Sequence, residues 1–349
     1  MTKGNCKLKI ANWKLQIEGD GRTRSFNLQF AICNLQFAIL PFILSAVSPI
    51  AHADTPTTQP AITFSRIDHP AIRESSGIVA SRKHPGVFWT HNDSGNGPSI
   101  YAITREGKFL AEYTVRATNI DWEDIAIDDA GHLYIGEIGN NARRKQIAVH
   151  QIDEPDVGLT PAPATLPATL PATEPIKLTG SWQLRFPGGN PFDSESLFIH
   201  DGNGYVISKR LDGGEAKLYR FSLKPQSAPK VLEEVTTLPI RAPVTAADLS
   251  ADARQLVVCT PIGLHLFDLP KDGGLTALGK ATPRVAWYLN PVMEGACFAP
   301  GGVFTTCETR QVIFFPVETF TRQDGSDGSV TVTVTATATA TVAATQQAK

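Results

Sequence analysis

The amino-acid sequence predicts an all-β fold, a β-propeller of five four-stranded blades. Three observations carry that reading. A triplet of short strands recurs five times, its recurrence has the period of a propeller blade, and one N-terminal strand is left over to close the ring.

The first strands read "SGIVAS" from Ser76, "EDIAID" from Glu123, "ESLFIH" from Glu195, "ADLSAD" from Ala247 and "EGACFA" from Glu294. A turn rich in Gly, Pro, Asp or Asn follows each one. Second strands come next: "GVFWTHND", "HLYIGEIG", "GYVISKR", "QLVVCT" and "GVFTTCET". Third strands are "SIYAIT", "QIAVHQI", "AKLYRFS", "GLHLFDL" and "QVIFFPV". Fourth strands fit "FLAEYTV", "GSWQLRF", "VLEEVTTL" and "PRVAWYL".

The five starting residues lie 47, 72, 52 and 47 positions apart. The long interval holds a Pro/Thr/Ala tract built on repeated "PAT", residues 154–175, which has no packing periodicity and reads as an extended loop. Without those 22 residues the interval is 50, so the period matches a four-stranded blade. The fifth unit has no fourth strand of its own. Residues 61–68, "AITFSRID", can supply it and close the ring, which removes exposed sheet edges. Six blades is the alternative if a weak one hides in 225–290; a β-sandwich would not explain the period.

Outside the propeller, residues 26–53 are uncharged and mostly apolar, follow Arg22 and Arg24, and end in Ala51-His52-Ala53. That is the pattern of a cleaved signal peptide, so residues 1–53 are expected to be removed on export to the periplasm or the cell exterior. "NLQFAI" occurs twice in succession there, at 27–32 and 34–39, and the first 20-odd residues look unlike a translated start. Residues 322–349 are low-complexity sequence without an aromatic side chain and read as a disordered tail. The mature domain is then 54–321, expected to be a monomer free of the membrane.

The whole chain carries a formal charge of −2, and residues 54–349 carry 26 basic and 32 acidic side chains. Nucleic-acid binding needs a basic face and is excluded on that ground. Three cysteines remain after cleavage, Cys259, Cys297 and Cys307. An odd number is no disulfide framework. They read as small buried hydrophobes, with a Cys259–Cys307 bridge as the sharper alternative.

Function is read from strand order. In an antiparallel hairpin the start of the first strand lies beside the end of the second. Glu123 is therefore expected near Glu137, with Asn140 and Asn141 just beyond, Glu195 near Lys209 and Arg210, and Glu294 near Glu308. Ser76 is expected near Asn92 and Asp93. The first strand of a blade lines the central channel, so these residues converge on one acidic channel mouth. Lys209, Arg210, Arg143 and Arg144 could offset the acids, and so could a cation. A donor set of carboxylates, amides and backbone oxygens suits Ca²⁺ or Mg²⁺ rather than zinc. Alternation turns Asp124 and Asp248 away from the Glu direction, towards ties between blades. His91 reads as a hydrogen-bonding corner residue, and Trp89, Trp122 and Trp287 as core. The chain has no H-E-x-x-H, Gly-x-Ser-x-Gly or P-loop, and no catalytic residue is assigned.

"SSGIVAS…GVFWTHNDSG", "DWEDIAID…LYIGEIGNN", "FDSESLFI" and "VTAADLS" resemble a group of exported bacterial β-propeller proteins. More distantly, the chain is similar to the SMP-30/gluconolactonase-like, TolB-like and SdiA-regulated propellers. The resemblance spans about 62–318. It implies a central Ca²⁺ on Glu, Asn and Asp side chains, and the matching residue types here are Glu123, Asn141, Glu195, Asp248 and Glu294. Ser76 stands where the lactonase pattern expects a Glu, with Glu74 two residues earlier on the same face. The expected activity is metal-dependent hydrolysis of a small ester, lactone or phosphoester. The alternative is a non-catalytic propeller whose mouth, through Asn92, Asp93, Glu137, Asn140, Lys209, Arg210 and Glu308, binds a small molecule, glycan or protein.

Overall fold

A computed structural model describes residues 9–19, 22–32, 61–140, 143–157, 174–225, 227–270 and 274–322. The chain forms two units, residues 58–323 and a second made of 1–57 with 324–349. Of the second unit the structure describes one antiparallel hairpin, Lys9–Gly19 with Arg22–Ile32, inside the segment read as a signal peptide. The remainder of that segment, the tail beyond Arg322, Asn141, and residues 158–173 of the Pro/Thr/Ala tract lie outside the described residues.

The larger unit is the five-bladed propeller. Blade one is Ser75–Ala80, Val87–Asn92, Ser99–Thr104 and Phe109–Thr114. Blade two is Asp124–Ile127, His132–Glu137, Gln146–Asp153 and Gly180–Arg185. Blade three is Asp193–His200, Asn203–Lys209, Lys217–Ser222 and Glu233–Thr237. Blade four is Ala246–Leu249, Gln255–Thr260, Gly263–Asp268 and Arg284–Trp287. Blade five is Met293–Ala299, Gly302–Cys307 and Gln311–Pro316, and its outermost strand is the N-terminal Thr63–Arg66. The sequence-predicted closure is therefore the observed one.

The strands read as nearly continuous apolar runs because each blade is covered on both faces. Successive side chains point to opposite faces, so neighbours along one strand enter different seams. Val257 packs between blades four and five, while Val258 packs between three and four. The five hydrophobic clusters correspond to the five interblade seams. Trp89 and Trp122, both fully buried, fill the seam between blades one and two. Burying a large apolar side chain contributes roughly 1.5–3 kcal/mol, so these seams hold the ring together. All three described cysteines are buried free thiols, and no 259–307 bridge forms.

The innermost strands contact one another in a closed ring, one–two–three–four–five–one. They approach closely where side chains are small. A Cβ on Gly77 would come within 2.5 Å of the Asp124 Cα in the next blade, so only glycine fits there.

Candidate functional site at the channel mouth

Strand pairing puts the expected residues at one end of the ring. Asp124 pairs with Gly136, Asp193 with Lys209, Met293 with Cys307, and Ser75 with Asn92. In three blades the register shifts at this point, between Ser75 and Ile78, Ser194 and Leu197, and Met293 and Gly295. An irregularity of this kind re-aims the residues inside it. Glu195 and Glu294 sit within two of the three, which is why strict alternation fails at the mouth.

Glu123, Glu195 and Glu294 act on one another there. Burial first, then Glu195 and Asp93, raises the Glu123 carboxyl well above its usual range. Burial and then Glu195 do the same to Glu294, with Glu308 adding to the rise. Glu195 is pushed up to about 7, mainly by burial, against the pull of Lys209. The Lys209 ammonium bonds Glu195 Oε1. Burial works against its charge, yet Glu195, Glu294 and Glu123 together raise its pKa and keep it charged. The other oxygen, Glu195 Oε2, is buried and has no hydrogen-bond partner.

The tightest group of oxygens lies beside these. Asp93, Asp121 and Glu123 each offer one carboxylate oxygen, all within 4.8 Å of one another. Two local features bring them together. Asn119 donates its side-chain N–H to the backbone oxygens of Asn92 and Asp93, both at 3.1 Å, and accepts from Trp122 N–H at 3.1 Å. That ties the loop after blade one's second strand to the linker before blade two. Gly139 leaves room, since a Cβ there would lie 1.9 Å from Glu123 Oε1 and 2.7 Å from Asp121 Cγ. Burial raises the Asp121 carboxyl, partly offset by Arg144. Asp121 precedes the repeated strand, so strand order alone assigns it no role. The signal was its i, i+2 spacing to Glu123, which sets both on one side of an extended chain.

Several expected residues are committed to holding the mouth in shape. Asn92 Oδ1 accepts from the N–H groups of Arg73 (2.8 Å) and Glu74 (3.2 Å), and its Nδ2 donates to Ala71 O at 2.9 Å. Asn140 accepts from Arg144 N–H and donates to Arg144 O and Phe192 O, while its own N–H donates to Asp193 at 2.9 Å. Glu137 accepts from Ile120 N–H at 2.8 Å and from Arg144 Nη1 at 2.6 Å. Glu308 adds its charge beside Glu294.

Arg210 departs from its expected place, while Asp248, Asp124 and His91 hold the places that alternation and the corner reading predict. Arg210 turns away from Glu195 and pairs with Asp212, two residues on, because the nearer carboxylate needs no long-range closure. Asp248 accepts from Phe298 N–H at 2.8 Å across the seam to blade five, and burial raises its carboxyl to about 6. Asp124 is fully buried and accepts from Ile125 N–H at 2.9 Å and Leu197 N–H at 2.8 Å, with Ala247 N–H at 3.5 Å. Both aspartates tie blades, as alternation implies, although the resemblance put Asp248 among the ligands. His91 is fully buried, its Nδ1 3.0 Å from Asn92 O, its ring edge-on to Trp122, and its Nε2 without a partner. Burial lowers its pKa to about 4.

Three carboxylate oxygens in reach of one point suit a hard divalent cation, which completes its shell with backbone, water or ligand oxygens. No His or Cys belongs to the group, so the donor set does not suit zinc.

No family model matches the chain, and no curated protein matches it. Solved structures similar to it include a virginiamycin B lyase from Staphylococcus aureus, 14% identical, covering 72% of this chain and 69% of that one, TM-score 0.35. Another is the Kuenenia stuttgartiensis hydrazine synthase, 10% identical, covering 70% and 71%, TM-score 0.38. Both are β-propellers. A chain of a mitotic checkpoint complex is 9% identical, covering 81% and 99%, TM-score 0.39.

Proposed function

We propose that the channel mouth holds a divalent cation, calcium by its all-oxygen donors, and hydrolyses a small ester, lactone or phosphoester. The observation that carries this is the convergence of Asp93, Asp121 and Glu123 oxygens within 4.8 Å. Glu195 and Glu294 stand beside that group. The cation would polarise the substrate's carbonyl or phosphoryl oxygen. Glu294, outside the group of three and with a raised carboxyl, takes the proton of the attacking water. It returns that proton to the leaving oxygen as the ester bond breaks.

The test is initial rates on p-nitrophenyl acetate and bis(p-nitrophenyl) phosphate, with calcium and with a chelator. Calcium-dependent turnover lost in Glu294→Gln supports the reading. Calcium binding without turnover of any substrate supports the non-catalytic alternative. Export to the periplasm or beyond, and action as a monomer, belong to the same proposal. They rest on residues 26–53 and on the closed ring respectively.

A further inference from the structure

The N-terminal strand Thr63–Arg66 closes the ring, and it also walls a cavity of about 220 Å³ between blades five and one. The floor of the cavity is apolar. Phe304, Val312 and Phe314 are buried there and belong to the seam between those two blades. The rim is polar. Thr63 and Ser65 border it from the strand, and Arg105 and Glu106 from the turn between blade one's third and fourth strands. A cavity of about 150 Å³ holds benzene, so this one admits a side chain of that size together with a small head group.

The turn is pinned to the chain leaving the closing strand. Asp68 N–H donates to Gly107 O at 3.1 Å, and Asp68 Oδ1 accepts from Phe109 N–H at 2.9 Å. The Arg105 guanidinium lies over the Phe314 ring, its Cζ 3.4 Å from the centroid. A guanidinium stacked in this way keeps the N–H groups at its edge free to donate in its own plane. Among the described residues that edge makes no ion pair and no hydrogen bond. Glu106 follows in sequence but does not pair with Arg105. One of its oxygens instead accepts from Thr104 Oγ1 at 2.9 Å. The rim therefore carries one cation and one carboxylate side by side, unpaired with each other, above an apolar floor.

We infer that this cavity binds a zwitterionic α-amino acid with an apolar side chain. The ligand's carboxylate takes the Arg105 N–H edge in the bidentate geometry a guanidinium favours. Its ammonium faces Glu106, and its side chain lies on Phe304 and Val312. A lone anion would be repelled by Glu106 and a lone cation by Arg105, so the two charges together select the zwitterion. The site is separate from the channel mouth. Thr104 pairs with Val87, at the strand end opposite Asn92, which pairs with Ser75. The inference thus stands or falls independently of the cation reading.

The experiment titrates three probes of one branched skeleton into the full chain by calorimetry. They are L-leucine, 4-methylpentanoate, which lacks the ammonium, and 3-methylbutylamine, which lacks the carboxylate. Leucine is expected to bind saturably and about tenfold or more tighter than either analogue, the worth of one charged hydrogen-bonded contact. Arg105→Gln should weaken leucine by about tenfold or more on the same ground. Glu106→Gln should weaken leucine and leave 4-methylpentanoate no weaker. Calcium affinity, read in a separate titration, should be the same in the parent and both variants. No heat with leucine, an analogue that binds as tightly as leucine, or the parent's leucine affinity in Arg105→Gln overturns the inference.

Discussion

Lys209 holds one oxygen of Glu195 and leaves the other buried without a hydrogen bond. The pair is therefore half-satisfied, and its two members should respond differently to truncation. Lys209→Met leaves a buried carboxylate with no cation. It is expected to cost about 3–5 kcal/mol by denaturant unfolding at pH 8. Lys209→Met with Glu195→Gln should recover most of that, because no buried charge remains. An additive loss in the double variant would contradict the pairing.

Two buried groups set opposite pH dependences. Glu195 is pushed up to about 7 from 4.5, so it contributes instability that grows as pH rises from about 4.5 to 7. His91 is held down to about 4 from 6.5. Its contribution to stability is present above 6.5 and is lost as pH falls towards 4. Each contribution is at most about 3 kcal/mol, and between pH 4.5 and 6.5 they oppose. Glu123, Asp124, Glu294 and Asp248 are raised as well and act in the same direction as Glu195, so thermal midpoints of the calcium-free chain should fall as pH rises across that window. Glu195→Gln should make that fall shallower. His91→Phe should make it steeper. Parallel pH profiles for both variants would refute this.

Glu154 is a fully committed acceptor between blades one and two. It takes hydrogen bonds from Ser81 Oγ, from Trp89 Nε1 at 2.8 Å, and from the backbone N–H groups of Arg82 (3.2 Å) and Lys83 (3.1 Å). Glu154→Ala orphans the buried indole N–H and should lower stability by about 2–4 kcal/mol. Calcium affinity should not change, since Glu154 lies at the far end of the strands from the mouth. A change in affinity without loss of stability would reverse that assignment.

Gly139 makes room for the aspartate–glutamate group. Gly139→Ala places a Cβ where Glu123 Oε1 and Asp121 already lie. The expected result is a calcium affinity at least about 100-fold weaker, with the circular dichroism spectrum unchanged. Unaltered affinity would mean that the cation binds elsewhere.

The propeller was legible because seam packing leaves a periodic trace. Every blade must present apolar residues to two neighbours, and "QLVVCT" or "QVIFFPV" records that demand directly. Closure by residues 61–68 followed from one missing strand. The glutamates at the mouth were legible because Glu123, Glu195 and Glu294 occupy one repeat position. Asp121 was not, because it sits in the linker ahead of the repeated strand, although Asp193 stands at the same spacing before Glu195. Arg210 was misplaced because the pattern gives a strand end but not the rotamer, and Asp212 offers a shorter path. Asp248 took the role alternation gave it, a tie to Phe298, rather than the one the resemblance supplied. The register shifts beside Glu195 and Glu294 break the alternation from which the side-chain directions were read.

The central claim is that Asp93, Asp121 and Glu123 form one cation site. The most direct test is a calorimetric calcium titration of the full chain beside the Asp121→Asn, Glu123→Gln double variant, at pH 8 where competition from protons is least. Saturable binding of one ion in the parent, absent in the folded double variant, is the predicted result. No heat in the parent, or equal binding in both, would contradict it.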